Sequence, residues 1–201
     1  MKAKIFAAPI NYTLERHYQK EEGELLIGVD KGAFHALEKG LRLDVAVGDF
    51  DSVTNSEFDH IKKNTPVVKV FAEAKAKTDT DIAIEEAFDR GAKKVTVYGG
   101  IGRRLDHTYG NILFLRRGDV TFVTDNQLMR MLRPGEHKIL HDYDFVSFFA
   151  VEKVHGLDLE GFAYELKDYD LAVEDPLCIS NEGEGVVRFR EGRLLVIAAN
   201  D

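Results

Sequence analysis

Val45 to Ser52 reads Val-Ala-Val-Gly-Asp-Phe-Asp-Ser, an apolar run that ends in two carboxylates, Asp49 and Asp51, with one aromatic residue between them. Carboxylate oxygens are ligands for hard cations. If the backbone stays extended through Asp51, side-chain alternation puts both carboxylates on one face, where they can share a cation, and turns Phe50 into packing. A strand-to-helix turn in which an Asp caps the next helix is the competing reading of the octapeptide alone. Its neighbours shift the balance. Asp30 follows the apolar run Leu25 to Val29, the Thr78-Asp79 loop follows Val67 to Phe71, and Gly99-Gly100-Ile101-Gly102 follows Lys94 to Tyr98.

These residues are carried by a regular alternation of short apolar runs and helical stretches. Lys4 to Ala8 is a first strand, stopped by Pro9, and Asn11 to Glu21 has weak helical spacing through Leu14 and Tyr18. Phe34 to Lys39 is expected as a short helix ended by Gly40. Asn55 or Ser56 is expected to cap a helix carrying Phe58 and Ile61. Thr78, with Asp81 three residues on, resembles a capping box at the start of a helix closed by Gly91. A helix from about Asp106 to Arg116 and a strand Val120 to Val123 follow. Such alternation predicts an α/β fold with a largely parallel sheet flanked by helices, and in such sheets ligands gather beyond the carboxyl ends of the strands. The two carboxylates, Asp30 and both loops sit at that edge.

From about Asp125 the helical spacing fades. Val146 to Val151, Gly156 to Leu159, Phe162 to Leu166, Leu177 to Ser180, Val186 to Phe189 and Leu194 to Ile197 read as short strands, with Glu191-Gly192 as a hairpin turn between the last two. They predict a small antiparallel all-β sandwich or barrel. Domains of 1–124 and 125–201 are therefore expected.

A net charge of −8 argues against a surface for nucleic acid or an anionic membrane. A phosphate ester bound by so acidic a protein needs a metal ion as mediator. No apolar run approaches the roughly 20 residues of a membrane span, and the N-terminus lacks a basic-then-apolar signal sequence. The single cysteine, Cys178, excludes an internal disulfide and suits a small core residue in a cytoplasmic enzyme or binding protein.

The ordered motifs Gly28-Val-Asp-Lys-Gly-Ala33, Gly48-Asp-Phe-Asp-Ser52, Lys77-Thr-Asp79, Gly99-Gly-Ile-Gly-Arg-Arg-Leu-Asp-His107 with Asn111, and Ser180-Asn181-Glu182 together resemble the thiamine pyrophosphokinase family. The resemblance runs through nearly the whole chain. It implies a homodimer that transfers the terminal pyrophosphate of ATP as a unit onto the hydroxyl of thiamine, giving thiamine diphosphate and AMP. It further implies that the α/β half holds ATP and Mg²⁺, while the β half binds thiamine and dimerises, with the substrate site at the subunit interface. Asp49, Asp51 and Asp79 are the expected metal ligands and, with Arg104 and Asp106, the catalytic set. Asp30, Lys31, Gly32, Gly48, Thr78, Gly99, Gly100 and Gly102 are the expected nucleotide contacts, with Asp30 open as a further metal ligand instead. Asp106, His107, Asn111, Ser180 and Asn181 are expected to contact thiamine.

That chemistry suits the residue types. Attack on a phosphorus of ATP concentrates negative charge on oxygens, so positioning and charge neutralisation dominate. Glycines permit close backbone approach to phosphates, and a following helix N-terminus favours anions. Arg104 can grip a phosphate in bidentate fashion, with Asp106 orienting it or the attacking hydroxyl; a surface ion pair plus a helix cap is the alternative for these two residues. The chain departs from the family at Arg103, where another glycine is usual, near Ala76, where an acidic or amide residue is usual, and at Ala7-Ala8-Pro9, which replaces a glycine-rich end. It has no Trp to stack on the thiamine pyrimidine, which leaves Phe162 or Tyr164 as substitutes. A diphosphokinase for a pterin alcohol and a non-catalytic nucleotide or thiamine sensor are the other functions open at this point. His137 and His141 are four apart but lack a third ligand, and read as two unrelated histidines.

Overall fold

The computed structural model describes residues 1–71, 77–102 and 104–201. Arg103 and Ala76, where the sequence departs from the family, lie outside them. The chain forms two compact units, Met1–Asp125 and Asn126–Asp201.

The first unit is a six-stranded, wholly parallel sheet in the order β4-β3-β2-β1-β5-β6, built from β1 (Lys2–Phe6), β2 (Leu25–Val29), β3 (Val45–Gly48), β4 (Val67–Val70), β5 (Lys94–Tyr98) and β6 (Asp119–Val123). All residues of β2 and β3 are buried, as strands covered on both faces must be. The chain steps outward from β1 to β4, then returns to the other side of β1 to lay down β5 and β6. That reversal makes the carboxyl ends of β1 and β5 the topological switch point, where a crevice opens.

The helices are α1 (Leu14–His17), α2 (Lys31–Glu38), α3 (Asn55–Asn64), α4 (Asp79–Asp89) and α5 (Leu105–Phe114). α1 is one turn, not the helix expected from Asn11 to Glu21. Tertiary bonds hold this segment instead: Asp125 accepts from the N–H and Oγ1 of Thr13 at 2.7 and 2.9 Å, and pairs with Nε2 of His17 at 3.0 Å. α3 is capped by Thr54, one residue before the expected Asn55, in a full capping box with Glu57. Thr78 caps α4 as expected, its Oγ1 accepting the N–H of Asp81 at 3.2 Å. The Asp81 side chain does not return to the cap; it is buried and bonded to Arg117 beyond α5.

The second unit is antiparallel throughout: β7 (Gln127–Leu132), β8 (Gly135–Ile139), β9 (Phe145–Glu160), β10 (Leu166–Leu171), β11 (Gly185–Phe189) and β12 (Glu191–Ala199). Two of the expected strands, Val146 to Val151 and Gly156 to Leu159, are one continuous β9. Glu191-Gly192 is not a hairpin turn, because β11 and β12 both pair with β9 and not with each other. Register shifts fall on either side of Arg193, and a Cβ on Gly192 would lie 2.2 Å from the Lys153 carbonyl. The glycine thus marks a bulge where a long strand pair bends from one sheet to the next, as at sandwich corners. Phe148, Val154, Leu157, Leu159, Leu171 and Leu194 fill the core between the sheets. The expected strand Phe162 to Leu166 is irregular except for Leu166, which opens β10, and Leu177 to Ser180 is a turn. Cys178 is buried in this core, its thiol pushed up to about 11 by burial and then by Asp175.

No described helix is long and apolar enough to cross a membrane.

Candidate active site

A cleft of about 730 Å³ opens at the switch point of the first unit. Its walls come from Ala7–Asn11 after β1, Asp30 after β2, Asp51 and Ser52 after β3, Thr78–Thr80 at the head of α4, and Gly100, Gly102, Arg104, His107 and Asn111 after β5.

Asp30, Asp49 and Asp79 each offer one carboxylate oxygen, and the three oxygens lie within 4.8 Å of one another. Three half-buried carboxylates at that spacing could together hold one hard divalent cation. Alternation does not create the arrangement. Phe50 has φ +58, so the backbone turns sharply between the two aspartates of the motif, and Asp49 Oδ1 accepts the N–H of Asp51 at 3.2 Å. The turn still buries Phe50, which packs on Phe58 with ring centroids 4.8 Å apart. Asp30 joins Asp49 and Asp79 in this trio, and Asp51, also expected as a ligand, lines the cleft beside them. Asp30 is itself at φ +46 and accepts the Phe50 N–H at 3.1 Å, a tie across two strand ends.

The glycines divide by function. Gly100 lines the cleft at φ +74, and Gly102 lines it as well. Gly99, Gly48 and Gly32 lie behind it and serve close approach: a Cβ on Gly32 would meet the Phe6 carbonyl at 2.2 Å, and one on Gly99 would meet that of Ala7 at 2.2 Å. Lys31 is ion-paired with Glu57 and lies over the Phe34 ring, outside the cleft lining.

Arg104 and Asp106 form a two-bond pair at 3.3 and 2.6 Å, both side chains well exposed. The guanidinium bond holds the Asp106 carboxyl below its ordinary range and raises Arg104 further. Arg104 and His107 line the cleft, and Asp106 lies between them at the head of α5. Asn111 is buried and donates its Nδ2 to the Gly100 carbonyl, so it shapes the glycine loop. Asn11 does the same from the other side, its Nδ2 donating to the Ile101 carbonyl at 2.7 Å. Motif reading missed Asn11, because no pattern around it marks a contact made 90 residues away.

In the second unit Ser180 has φ +56 and donates its N–H to Ser147 Oγ at 2.9 Å. Asn181 is buried, and its side chain is fully engaged: Oδ1 accepts the N–H groups of Tyr164 and Glu182, both at 2.9 Å, and Nδ2 donates to the Tyr164 carbonyl at 2.7 Å. Phe162 is core, packed edge-on against Phe148 at 5.4 Å, whereas Tyr164 is 68% exposed. His137 and His141 bond to the carbonyls of Arg133 and Gly183.

A doubly wound parallel sheet with clustered carboxylates and a glycine loop at its switch point defines an α/β protein built to handle a charged, phosphate-bearing ligand. Residues 17–123 match the model of the thiamin pyrophosphokinase catalytic domain, and residues 136–194 that of the thiamin pyrophosphokinase vitamin B1 binding domain. The chain is 34% identical over 192 residues to a thiamine pyrophosphokinase of Bacillus subtilis, covering 90% of each chain. The crystal structure of thiamine pyrophosphokinase from Bacillus subtilis superposes with a TM-score of 0.89 at 32% identity, over 100% of this chain and 99% of that one. That of thiamin pyrophosphokinase from Geobacillus thermodenitrificans gives 0.86 at 30% identity, over 100% and 98%. The chain belongs to the thiamine pyrophosphokinase family.

Proposed function

We propose that the protein transfers the β- and γ-phosphates of ATP, as one pyrophosphoryl group, to the hydroxyl of thiamine, releasing AMP. The observation that carries this reading is the trio Asp30, Asp49 and Asp79, two of whose members, Asp30 and Asp79, line a cleft that also holds a glycine loop and Arg104. Carboxylates alone would repel a polyphosphate. A cation between them reverses that sign, and all-oxygen donors at this spacing fit Mg²⁺. When bound, Mg²⁺ would neutralise phosphate charge and align the chain of phosphates.

The remaining work falls to side chains and backbone. Gly100, Gly102 and the N-terminus of α5 border the cleft and would favour phosphate charge there, whereas the Gly99 N–H is held by the Val123 carbonyl at 3.0 Å. Arg104 exchanges its Asp106 partner for phosphate oxygens, gripping them through two N–H donors. Asp106, released from the guanidinium that depresses its pKa, becomes a better proton acceptor. It takes the proton of the thiamine hydroxyl as that oxygen attacks the β-phosphorus and the bond to the α-phosphate oxygen breaks. Asp51 and Thr78 border the same space and orient the donor.

The acceptor is held by the β unit. Ser180 and the exposed Tyr164 ring are the contacts we assign to thiamine, with Asn181 supporting both. We place the working site between subunits of a homodimer. Two exposed apolar surfaces support this: Leu105, Tyr109 and Leu113 at successive four-residue steps along α5, beside Asp106 and His107, and Tyr164, Leu177 and Ile179 on the β unit. A cytoplasmic setting follows from the use of ATP. The test is to incubate the purified protein with ATP and Mg²⁺ and offer thiamine or a pterin alcohol. Modification of thiamine alone supports the reading. Modification of the pterin alone, or of neither, rejects it.

A further inference from the structure

We infer that Asn11 is a positioning residue for the nucleotide, fixing the peptide orientations of the Gly99–Gly102 loop on which the phosphates rest. The inference rests on the diphosphotransferase reading above.

The loop's flexibility is the problem to be solved. Gly99 and Gly100 have φ +88 and +74, and two adjoining glycines leave their peptide planes free to rotate. An anion cradle needs N–H groups turned to the ligand and carbonyls turned away, since an inward carbonyl oxygen repels a phosphate oxygen. Two successive carbonyls of this loop are tied by side-chain amides from separate elements. Asn111 in α5 donates to Gly100, and Asn11, after β1, donates to Ile101 at 2.7 Å. A trans peptide sets its N–H opposite its C=O, so these two bonds fix the directions of the Ile101 and Gly102 N–H groups, the latter donating to Oγ1 of Thr108 through a long 3.4 Å bond that a phosphate oxygen can replace.

Asn11 is well placed to act as a template. Its N–H donates to the Pro9 carbonyl at 3.0 Å, and its carbonyl accepts the N–H of Asp125 at 2.9 Å. The Asp125 side chain in turn holds Thr13 and His17. The two loops also touch along their length: a Cβ on Gly102 would fall 2.5 Å from Cγ of Pro9. Asn11 borders the same cleft as Gly100 and Gly102.

The test compares the parent with Asn11→Ala, which deletes the amide, and Asn11→Asp, which keeps its shape but has no N–H to donate. Affinity for ATP is read by calorimetry, and KM for ATP and for thiamine by product formation. Both variants are expected to weaken ATP binding roughly threefold to tenfold while leaving the thiamine KM within about twofold and melting nearly unchanged. Equal ATP affinity in all three proteins overturns the inference. So does a loss spread evenly over ATP, thiamine and melting temperature, which marks a merely structural bond. If the parent binds ATP but modifies no thiamine, the functional reading fails on its own, and the three ATP affinities still decide the role of Asn11.

Discussion

A Cβ on Gly48 would fall 1.7 Å from Oδ1 of Asp30. The ends of β2 and β3 therefore meet so closely that glycine alone leaves room for the carboxylate that completes the trio with Asp49 and Asp79. Gly48→Ala is expected to displace Asp30 and raise the Mg²⁺ concentration needed for half-maximal turnover by about tenfold, with a stability loss of about 1–3 kcal/mol. Magnesium titration of turnover, alongside denaturant unfolding, checks both. An unchanged magnesium requirement would separate Asp30 from the metal.

Asp30→Asn and Asp51→Asn distinguish the trio seen in space from the pair seen in the sequence motif. Asn keeps an acceptor for the Phe50 N–H but removes a ligand charge. Asp30→Asn should cost roughly a hundredfold in turnover with a raised magnesium requirement. Asp51→Asn should lower turnover with a smaller change in that requirement. The reverse ranking would return Asp51 to the inner set.

The sequence carried the alternation of β runs and helices, the edge at which the carboxylates collect, and the antiparallel character of the second half. Those properties are local, being set by periodicity and turn residues. What it could not carry depends on backbone turns and distant pairing. The positive φ of Phe50 turns the backbone where alternation needed it extended, and the choice between ligand and nucleotide contact that the sequence leaves open for Asp30 depends on strand ends brought together by the sheet. Glu191-Gly192 has the composition of a hairpin turn, but β9 takes both flanking strands. Asn181 belongs to the motif Ser180-Asn181-Glu182, yet only its burial and its bonds to Tyr164 reveal that it shapes a turn.

Asn181→Ala and Tyr164→Ala should therefore differ in kind. The first leaves the Tyr164 N–H and carbonyl without partners beside a buried position, and about 2 kcal/mol of stability should be lost. The second removes an exposed ring, should leave melting nearly unchanged, and should raise the KM for thiamine without changing that for ATP. Melting curves and the two KM values check this; a Tyr164→Ala effect confined to ATP would contradict the assignment.

Arg117 pairs with the buried carboxylate of Asp81. Burial raises the Asp81 carboxyl despite the opposing charge of Arg117, which bonds both of its oxygens. Arg117→Ala should cost about 2 kcal/mol near neutral pH by leaving that charge unpaired, and should disturb the head of α4, which carries Asp79. Because the folded pKa of Asp81 is raised, the deficit should shrink as pH falls through it, where a protonated carboxyl needs no counter-charge. Unfolding measured across pH tests the direction; a deficit that grew on acidification would contradict it.

The most direct measurement follows the phosphorus atoms. The protein is incubated with Mg²⁺, thiamine and ATP isotopically labelled at the γ-phosphate, and the products are resolved by ³¹P NMR. Transfer of the pyrophosphoryl group as a unit gives AMP and thiamine diphosphate in equal amounts, with the label at the terminal phosphate of the vitamin. ADP with thiamine monophosphate, or consumption of ATP with thiamine unmodified, would contradict it.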